Sequence, residues 1–366
     1  MTIIHIIGSP DRGGTEVLAL DLCRNAKING LNLILVVTHK GVLDDEFRSS
    51  GAEYYYFPRR YPIDFSLIYK LKKVIEKKKV KVIHSHQAVD GLHAYLTSKL
   101  TKVKVILSFH GHVKSFKNDM VLKFLIPRVD ANISVSKSFF LRLKQDIGFK
   151  IWRDFHIIYN GIDSKKFYKT SGNLKSELGL SDSYILLGMV GNFNDNIRDQ
   201  ITVCKALPSI FKEYNNIHFV FIGRRPVENP QYYNECYNFC QKNEILDRTH
   251  FIGPRTDINN ILNSLDIFVY SSNYDTFGIA VIEAQMSGLP VVINDLPSLM
   301  EVTDNGKYAQ VFKSKDEHDL QKKIFELLEN KSYSHYLSYE GKNWSINNFN
   351  IEKYITNLKN LYKSII

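Results

Sequence analysis

The stretch Tyr274–Val292, YDTFGIAVIEAQMSGLPVV, sets two carboxylates, Asp275 and Glu283, in an apolar, glycine-punctuated run. It follows DIFVYSS and leads into LPVVIND, both apolar runs of strand length. Between them the composition predicts a loop holding Asp275 and Thr276 and a close backbone approach at Gly278. A helix then runs from about Ile279 to Ser287 and stops at Gly288, with Pro290 beyond. Strand, helix and strand with short connections make a parallel βαβ unit. Glu283 lies one turn inside that helix among Ile279, Ala280, Val281, Ile282 and Ala284. Unpaired and buried, such a carboxylate costs roughly several kcal/mol, so a hydroxyl or cation partner is expected. The alternative is an exposed Glu283 sharing a wet helix face with Gln285.

The same alternation extends outward in both directions. YILLGMVG, IHFVFIG and RTHFIG precede DIFVYSS, with helical segments between them. Nearer the N-terminus come IIHIIG, a helix from about Thr15 to Asn29, LNLILVV, VKVIHS, VKVILSF and ANISVS. Two such series predict an α/β protein with two doubly wound parallel sheets. A chain of 366 residues is too long for one ordinary core and fits two domains of roughly 150 to 200 residues. Apolar periodicity lapses across YNGIDSKKFYKTSGNLKSELGLSDS, placing the domains at 1–168 and 169–349. Ile351, Tyr354, Ile355, Leu358, Leu361 and Tyr362 recur at helical spacing, so residues 350–366 are expected to form a helix packed back on the first domain.

With 44% hydrophobic and 23% charged residues the chain reads as a soluble globular protein. The first residues lack the basic flank and cleavage site of a secretory signal, and no apolar run is long enough to span a bilayer. A cytosolic protein is expected. Cys23, Cys204, Cys236 and Cys240 are scattered and read as free thiols. No zinc or calcium spacing appears, so no dedicated metal site is expected. The net charge is unevenly divided: residues 1–168 carry +13 and residues 169–366 carry −3. One half is therefore suited to an anionic surface, either a membrane leaflet or nucleic acid. Against nucleic acid, no RRM, KH or C2H2 pattern is present.

Several strand ends carry groups with chemistry. Gly13 and Gly14 follow the first strand and open a helix, letting backbone amides approach an oxyanion, although the pattern is not a dinucleotide fingerprint. In SFHGHVKSF, His110 and His112 lie just past a strand, where open α/β sheets collect ligands. His84 and His86 occupy a similar end in VIHSHQA. The lysines of KKVIEKKKVKV fit the solvated face of a helix. Residues 113–126, if helical, gather Val113, Phe116, Met120, Val121, Phe124 and Leu125 to one side, with Lys114, Lys117 and Lys123 elsewhere. That segment suits either a membrane interface or the core. In GMVGNFNDNIRDQ, a glycine turn precedes Arg198, whose guanidinium can fork onto phosphate oxygens.

Taken together and in order, GGTE, FHGH, VSKSF, IYNGID, the glycine turn ending at Arg198 and the Asp275–Glu283 pair resemble the family-4 retaining glycosyltransferases over nearly the whole chain. That family shows a Glu, seven residues and a second Glu, where this chain has Asp275 and Glu283. The resemblance implies a GT-B fold, two Rossmann-like domains facing a central cleft. It implies an N-terminal acceptor domain and a C-terminal domain binding a nucleotide diphosphate sugar, a UDP-sugar by class. Glu283 would hold the ribose hydroxyls, and Thr276, Phe277, Gly278, Ile279 and Ala280 the sugar and diphosphate through backbone amides. Asp275 would contact the transferred sugar. Gly13 and Gly14 would line the cleft beside the diphosphate, and His110 would approach the reacting end. Asp275 is one methylene shorter than the usual Glu, which touches on sugar identity. Where the family often has Arg and Lys, this chain has Asn192 and Arg198, so Arg198 would carry most of the leaving-group charge, with Asn192 beside it.

The implied reaction is retaining transfer of a hexose or N-acetylhexosamine, with no metal or cofactor, to a glycan or polyprenyl-diphosphate-linked glycan. Its setting would be bacterial surface polysaccharide (O-antigen, capsule or lipopolysaccharide) assembly, with the basic N-terminal domain peripheral on the inner face of the cell membrane. A sugar-nucleotide epimerase of the same fold, or a non-catalytic nucleic-acid-binding protein, are the alternatives.

Overall fold

A computed structural model describes residues 1–11, 13–111, 115–148, 155–168, 172–194 and 197–366. The chain forms two compact units, one built from Met1–Ile162 with Phe349–Ile366 and the other from Asp163–Asn348. The first crossing thus falls at 162/163, upstream of the expected 168.

The first unit holds a seven-stranded sheet. Its strands are β1 (Thr2–Ile7), β2 (Asn32–Val37), β3 (Glu53–Tyr56), β4 (Val82–Ser85), β5 (Lys104–Phe109), β6 (Ala131–Ser134) and β7 (Phe155–Ile157). The order is β3-β2-β1-β4-β5-β6-β7, and every pairing is parallel. The second unit holds β8 (Ile185–Val190), β9 (Ile217–Ile222), β10 (Thr249–Phe251), β11 (Ile267–Tyr270), β12 (Val291–Asn294) and β13 (Gln310–Phe312). Their order is β10-β9-β8-β11-β12-β13, again parallel. The inner strands are Val, Ile and Leu runs because helices cover both faces, so neither face needs polar alternation. Strand order reverses between β1 and β4 and between β8 and β11, which opens a crevice at the C-terminal ends of those pairs.

The helices form as their sequences dictate. Phe65–Lys78 is capped by Asp64, whose side chain accepts from the amides of Ser66 and Leu67. It buries Leu67, Ile68, Leu71, Val74 and Ile75 while Lys73 and Lys77 face solvent, as a wet-face reading of the lysines requires. The helix Phe116–Leu125 splits its apolar residues: Leu122 and Leu125 are buried, but Phe116, Met120 and Phe124 are exposed. Val113 and Lys114, expected to extend it, lie outside the described residues, as does His112. The four cysteines are free and buried.

The terminal helix, Ile351–Ile365, belongs to the first unit. Asn350 caps it by accepting from the Lys353 amide, and Ile351, Tyr354, Ile355, Leu358, Leu361 and Tyr362 join a core with Ile3, Leu18, Leu22, Leu33 and Leu35. Leu358 is 0% exposed. Leu358→Ala should therefore destabilise this unit by about 2–5 kcal/mol, read by urea denaturation. A loss below about 1 kcal/mol would mean that the helix does not close the core.

Candidate functional site

In the second unit the chemistry gathers at the β8/β11 reversal. Arg198 follows β8, Asp275 follows β11, and the Arg198 and Ser272 backbones form an antiparallel bridge. Arg198 Nη1 donates to Ser272 Oγ (3.1 Å) and to the Tyr274 carbonyl (3.0 Å), and Nη2 lies 3.4 Å from Asp275 Oδ2. The guanidinium also stands 5.3 Å from the Tyr270 ring centre. Burial works to lower the Arg198 pKa, but Tyr270 and Asp275 raise it, and the net shift is upward, so it is a fixed cation. Burial pushes the Tyr270 phenol well above its ordinary value, and its hydroxyl donates to Asp275 Oδ2 at 2.8 Å.

Asp275 organises the loop. Its Oδ1 accepts from the amides of Phe277 (3.1 Å) and Gly278 (2.9 Å). Of the amides expected to meet a diphosphate, those two are therefore engaged. The amides of Ile279 and Ala280 open the helix Ile279–Met286, where first-turn N–H groups lack intrahelical acceptors and carry the positive end of the helix dipole. Gly278 permits the turn: its φ is +93°, and a Cβ there would lie 2.9 Å from Leu299 Cδ2. Thr276 is half-buried and Phe277 fully buried.

Glu283 is half-buried on this helix and close enough to Tyr270 to raise the phenol's pKa. It is not on a wet face shared with Gln285, because Gln285 is buried, donating to the Tyr308 carbonyl (2.9 Å) and accepting from Ser345 Oγ (2.6 Å). Asn192 is exposed past β8, and its Oδ1 accepts from the Arg224 amide (2.8 Å), so it shapes the turn. Sequence reasoning missed Tyr270, Ser272 and Asp199. Asp199 is buried, taking hydrogen bonds from Ser271 Oγ (2.8 Å) and Thr202 Oγ1 (3.0 Å) and so tying β11 to the helix after Arg198. Their only sequence signal was adjacency to the residues already singled out.

In the first unit the β1/β4 reversal carries histidines. Gly13 caps the helix Gly14–Ala26 with extended backbone, and a Cβ on it would lie 2.6 Å from Glu16 Oε2. The Glu16 carboxyl thus sits over the expected oxyanion turn, its pKa raised by burial and then by Asp11. His5 on β1 pairs in register with His84 on β4. His84 Nε2 meets Ser108 Oγ (2.5 Å), and His84 Nδ1 meets Tyr362 Oη (2.7 Å). Tyr362 Oη also meets His5 Nε2 (2.9 Å), His5 Nδ1 meets His86 Nε2 (2.9 Å), and His86 Nδ1 meets His110 Nε2 (2.9 Å). Burial, helped by the neighbouring imidazoles, lowers the pKa of His5 to about 3 and of His84 and His86 well below the usual value. Burial alone takes His110 to about 4. All four are neutral rings near pH 7. His5, His84 and His86 also bring ligand atoms within 4.8 Å of one another, the one such metal-capable group among the described residues. His84 and His86 share the end of β4 and were visible in VIHSHQA, whereas His5 lies on β1 and no spacing motif joins it to them.

Two sequence-family models match the chain: Glycosyltransferase Family 4 over residues 12–166 and Glycosyl transferases group 1 over residues 171–344. N-acetyl-alpha-D-glucosaminyl L-malate synthase of Bacillus anthracis is 22% identical over 99% of this chain and 97% of its own. The Escherichia coli UDP-Gal:alpha-D-GlcNAc-diphosphoundecaprenol alpha-1,3-galactosyltransferase is 24% identical over 83% of this chain and 80% of its own. In structure, Anabaena HepE in complex with UDP and glucose superposes with a TM-score of 0.86 over all of both chains, at 17% identity. Lying as they do on two parallel-sheet units, these paired matches show that the chain belongs to the family-4 glycosyltransferases of GT-B fold.

Proposed function

We propose that the protein moves a hexosyl or N-acetylhexosaminyl group from a nucleotide diphosphate sugar to a lipid-linked glycan, retaining anomeric configuration, in bacterial surface polysaccharide assembly. The donor is a UDP-sugar by class. The observation that carries this reading is Arg198, a permanent cation paired at the β8/β11 switch point with Asp275, whose other oxygen holds the Phe277 and Gly278 amides directly before the helix Ile279–Met286. As the sugar–phosphate bond breaks, negative charge grows on the leaving diphosphate. A preoriented guanidinium and helix-end amides stabilise that charge without reorganising. The proposal gives this task to the protein's own groups, with no resident metal or cofactor. Glu283 takes the ribose hydroxyls, which a carboxylate binds by accepting from both.

Asp275 has a different emphasis from the one its motif implies. Its oxygens hold two amides, the Tyr270 hydroxyl and Arg198. A longer Glu would reach past those amides towards the sugar. We assign Asp275 chiefly to holding Arg198 and the loop in place, with sugar contact secondary. In the first unit, we assign substrate contact to His110, Gly13 and Gly14 at the β1/β4 switch point.

The acceptor reading rests on the helix Phe116–Leu125. Phe116, Met120 and Phe124 are 80%, 56% and 40% exposed and spaced four apart, so they form one apolar stripe. Lys117, Lys123 and Arg128 are exposed around it. An apolar stripe flanked by cations suits an anionic membrane surface, where a polyprenyl-linked acceptor resides. Among the described residues no helix is long and apolar enough to cross a membrane. The stripe and its cations support a proposed peripheral placement on the inner face of the membrane. With glycosyl transfer supported by family, the basic half gives no reason to invoke nucleic acid.

Glu283→Ala should abolish release of UDP from UDP-sugars, screened across a donor panel, and full activity would sink the donor assignment. Arg198→Ala should lower kcat by about 10²–10³-fold, with a smaller effect on donor KM. Nucleotide release that continues unchanged without any acceptor, with an isomerised sugar as product, would favour the epimerase instead. Anionic liposomes should sediment the protein at low salt, and Phe116→Ser with Met120→Ser should lose that binding. Equal sedimentation of both proteins would remove the membrane part alone.

A further inference from the structure

The order of strands in the first unit decides where its exposed apolar residues stand. The connections from β3 to β4, β4 to β5 and β5 to β6 all step the same way across the sheet. Parallel crossovers are right-handed, which sends all three to one face, opposite the helix Gly14–Ala26 that joins β1 to β2. The helices on that face are Phe65–Lys78, Ala88–Thr101 and Phe116–Leu125, and the middle one packs against both of the others. Each runs antiparallel to the strands, so all three begin at the C-terminal edge of the sheet, where the β1/β4 crevice opens. Phe65 and Phe116 are the first residues of the outer two. Phe65 is 78% exposed, as far out as Phe116, and Tyr69 is exposed one turn later on the same helix face. Tyr61 and Ile63, in the loop just before Phe65, are exposed as well. The two ends of this face thus carry matching apolar rows at one edge.

Charge on the same face is of one sign. Across residues 60–73, 88–102 and 115–128 the acidic side chains are Asp64 and Asp90, which are buried, and Asp119, which is half-buried. Arg60, Lys73, Lys99, Lys102, Lys117 and Lys123 are exposed over those stretches. The next acid along the first helix, Glu76, lies 3.7 Å from Lys72. A second copy of this chain would bring the same cations to the contact and be repelled. A nucleic acid would take the cations but offer no apolar layer for the phenylalanines. An anionic membrane takes both, lipid phosphates meeting the cations and the acyl boundary receiving the rings. We propose that the first unit stands on such a membrane by two footings, one at Tyr61–Tyr69 and one at Phe116–Phe124, which hold the C-terminal edge of its sheet at the headgroup layer. This rests on the membrane reading given above for Phe116–Leu125 and adds a second footing and an orientation. One footing leaves the unit free to swivel, whereas two on one sheet set its tilt and keep the β1/β4 crevice at the level of a lipid-borne diphosphate.

The four native cysteines are buried, so a thiol-reactive dye marks an introduced cysteine in the folded, full-length protein. Phe65→Cys and Phe116→Cys place the dye on the two footings, and Ile28→Cys places it just past the helix Gly14–Ala26 on the other face, where Ile28 is exposed. With vesicles of phosphatidylglycerol and phosphatidylcholine carrying a nitroxide quencher on the acyl chains, the dyes at 65 and 116 should both be quenched and the dye at 28 should not. Tyr61→Ser with Phe65→Ser should weaken vesicle binding about tenfold or more, as expected when one of two linked contacts is lost, with the unfolding midpoint unchanged because both side chains are exposed. Quenching at 116 but not at 65, or full binding by that double variant, overturns the second footing and leaves the Phe116–Leu125 reading standing. Quenching at 28 equal to that at 65 overturns the orientation. Absence of quenching at every position, with no sedimentation, removes the membrane reading and this proposal with it. A lipid-free dimer that the double variant loses overturns the proposal in favour of a second copy on this face.

Discussion

A parallel sheet that grows outward from a central pair of strands must send its first connections to opposite faces, and the loops at that pair part and leave a crevice. Both units obey this constraint. In the first the pair is β1 and β4, with β5 next to them, and in the second it is β8 and β11. The histidine row comes from β1, β4 and β5, and the Arg198–Asp275 group comes from the ends of β8 and β11. Chemistry sits where the topology leaves backbone uncovered, and the rigid sheet beneath supplies the precision that a loop alone would lack.

Within the second unit the Asp275 carboxylate is the joint on which the other site groups turn. It offers one oxygen to the loop amides and the other to Tyr270 and Arg198. A partly buried cation and anion are costly to desolvate separately, and their stabilisation comes from the hydrogen bonds that complete the set. Removing Asp275 would free the Gly278 turn and leave Arg198 beside a buried phenol with less to hold it. The same bonds explain how a shortened side chain keeps the loop ordered: Asp reaches amides two and three residues ahead of it, a local contact that short polar side chains make readily.

Long apolar strands and capped helices were legible in the sequence because burial on both faces writes itself as Val, Ile and Leu runs. The edge strands β3, β7 and β13 were not, since Glu53–Tyr56, Phe155–Ile157 and Gln310–Phe312 are three or four residues long and lack such runs. At the site, Arg198, Asp275, Gly278 and Glu283 could be found because each lies beside a strand end or helix start. The division of labour between them could not. That Asp275 engages Phe277 and Gly278 depends on the φ of Gly278, and that Gln285 is buried depends on Ser345, sixty residues away. The exposed stripe of Phe116, Met120 and Phe124 was visible only as an ambiguous pattern, because periodicity marks a face without saying what covers it.

The histidine row shows most plainly where local reading ends. His5 is an isolated polar residue in a first strand, and Tyr362 a helical repeat residue near the chain's end, 357 positions apart. Nothing in either neighbourhood suggests a partner, and each alone reads as core. Their meeting is a product of topology: β1 is central, and the terminal helix returns to cover it. Burial then keeps the imidazoles neutral, so each ring brings one donor and one acceptor to the row. A charged imidazole would donate at both nitrogens and break the sequence of links. The helix that closes the hydrophobic core of this unit therefore also supplies the hydroxyl that joins His5 to His84.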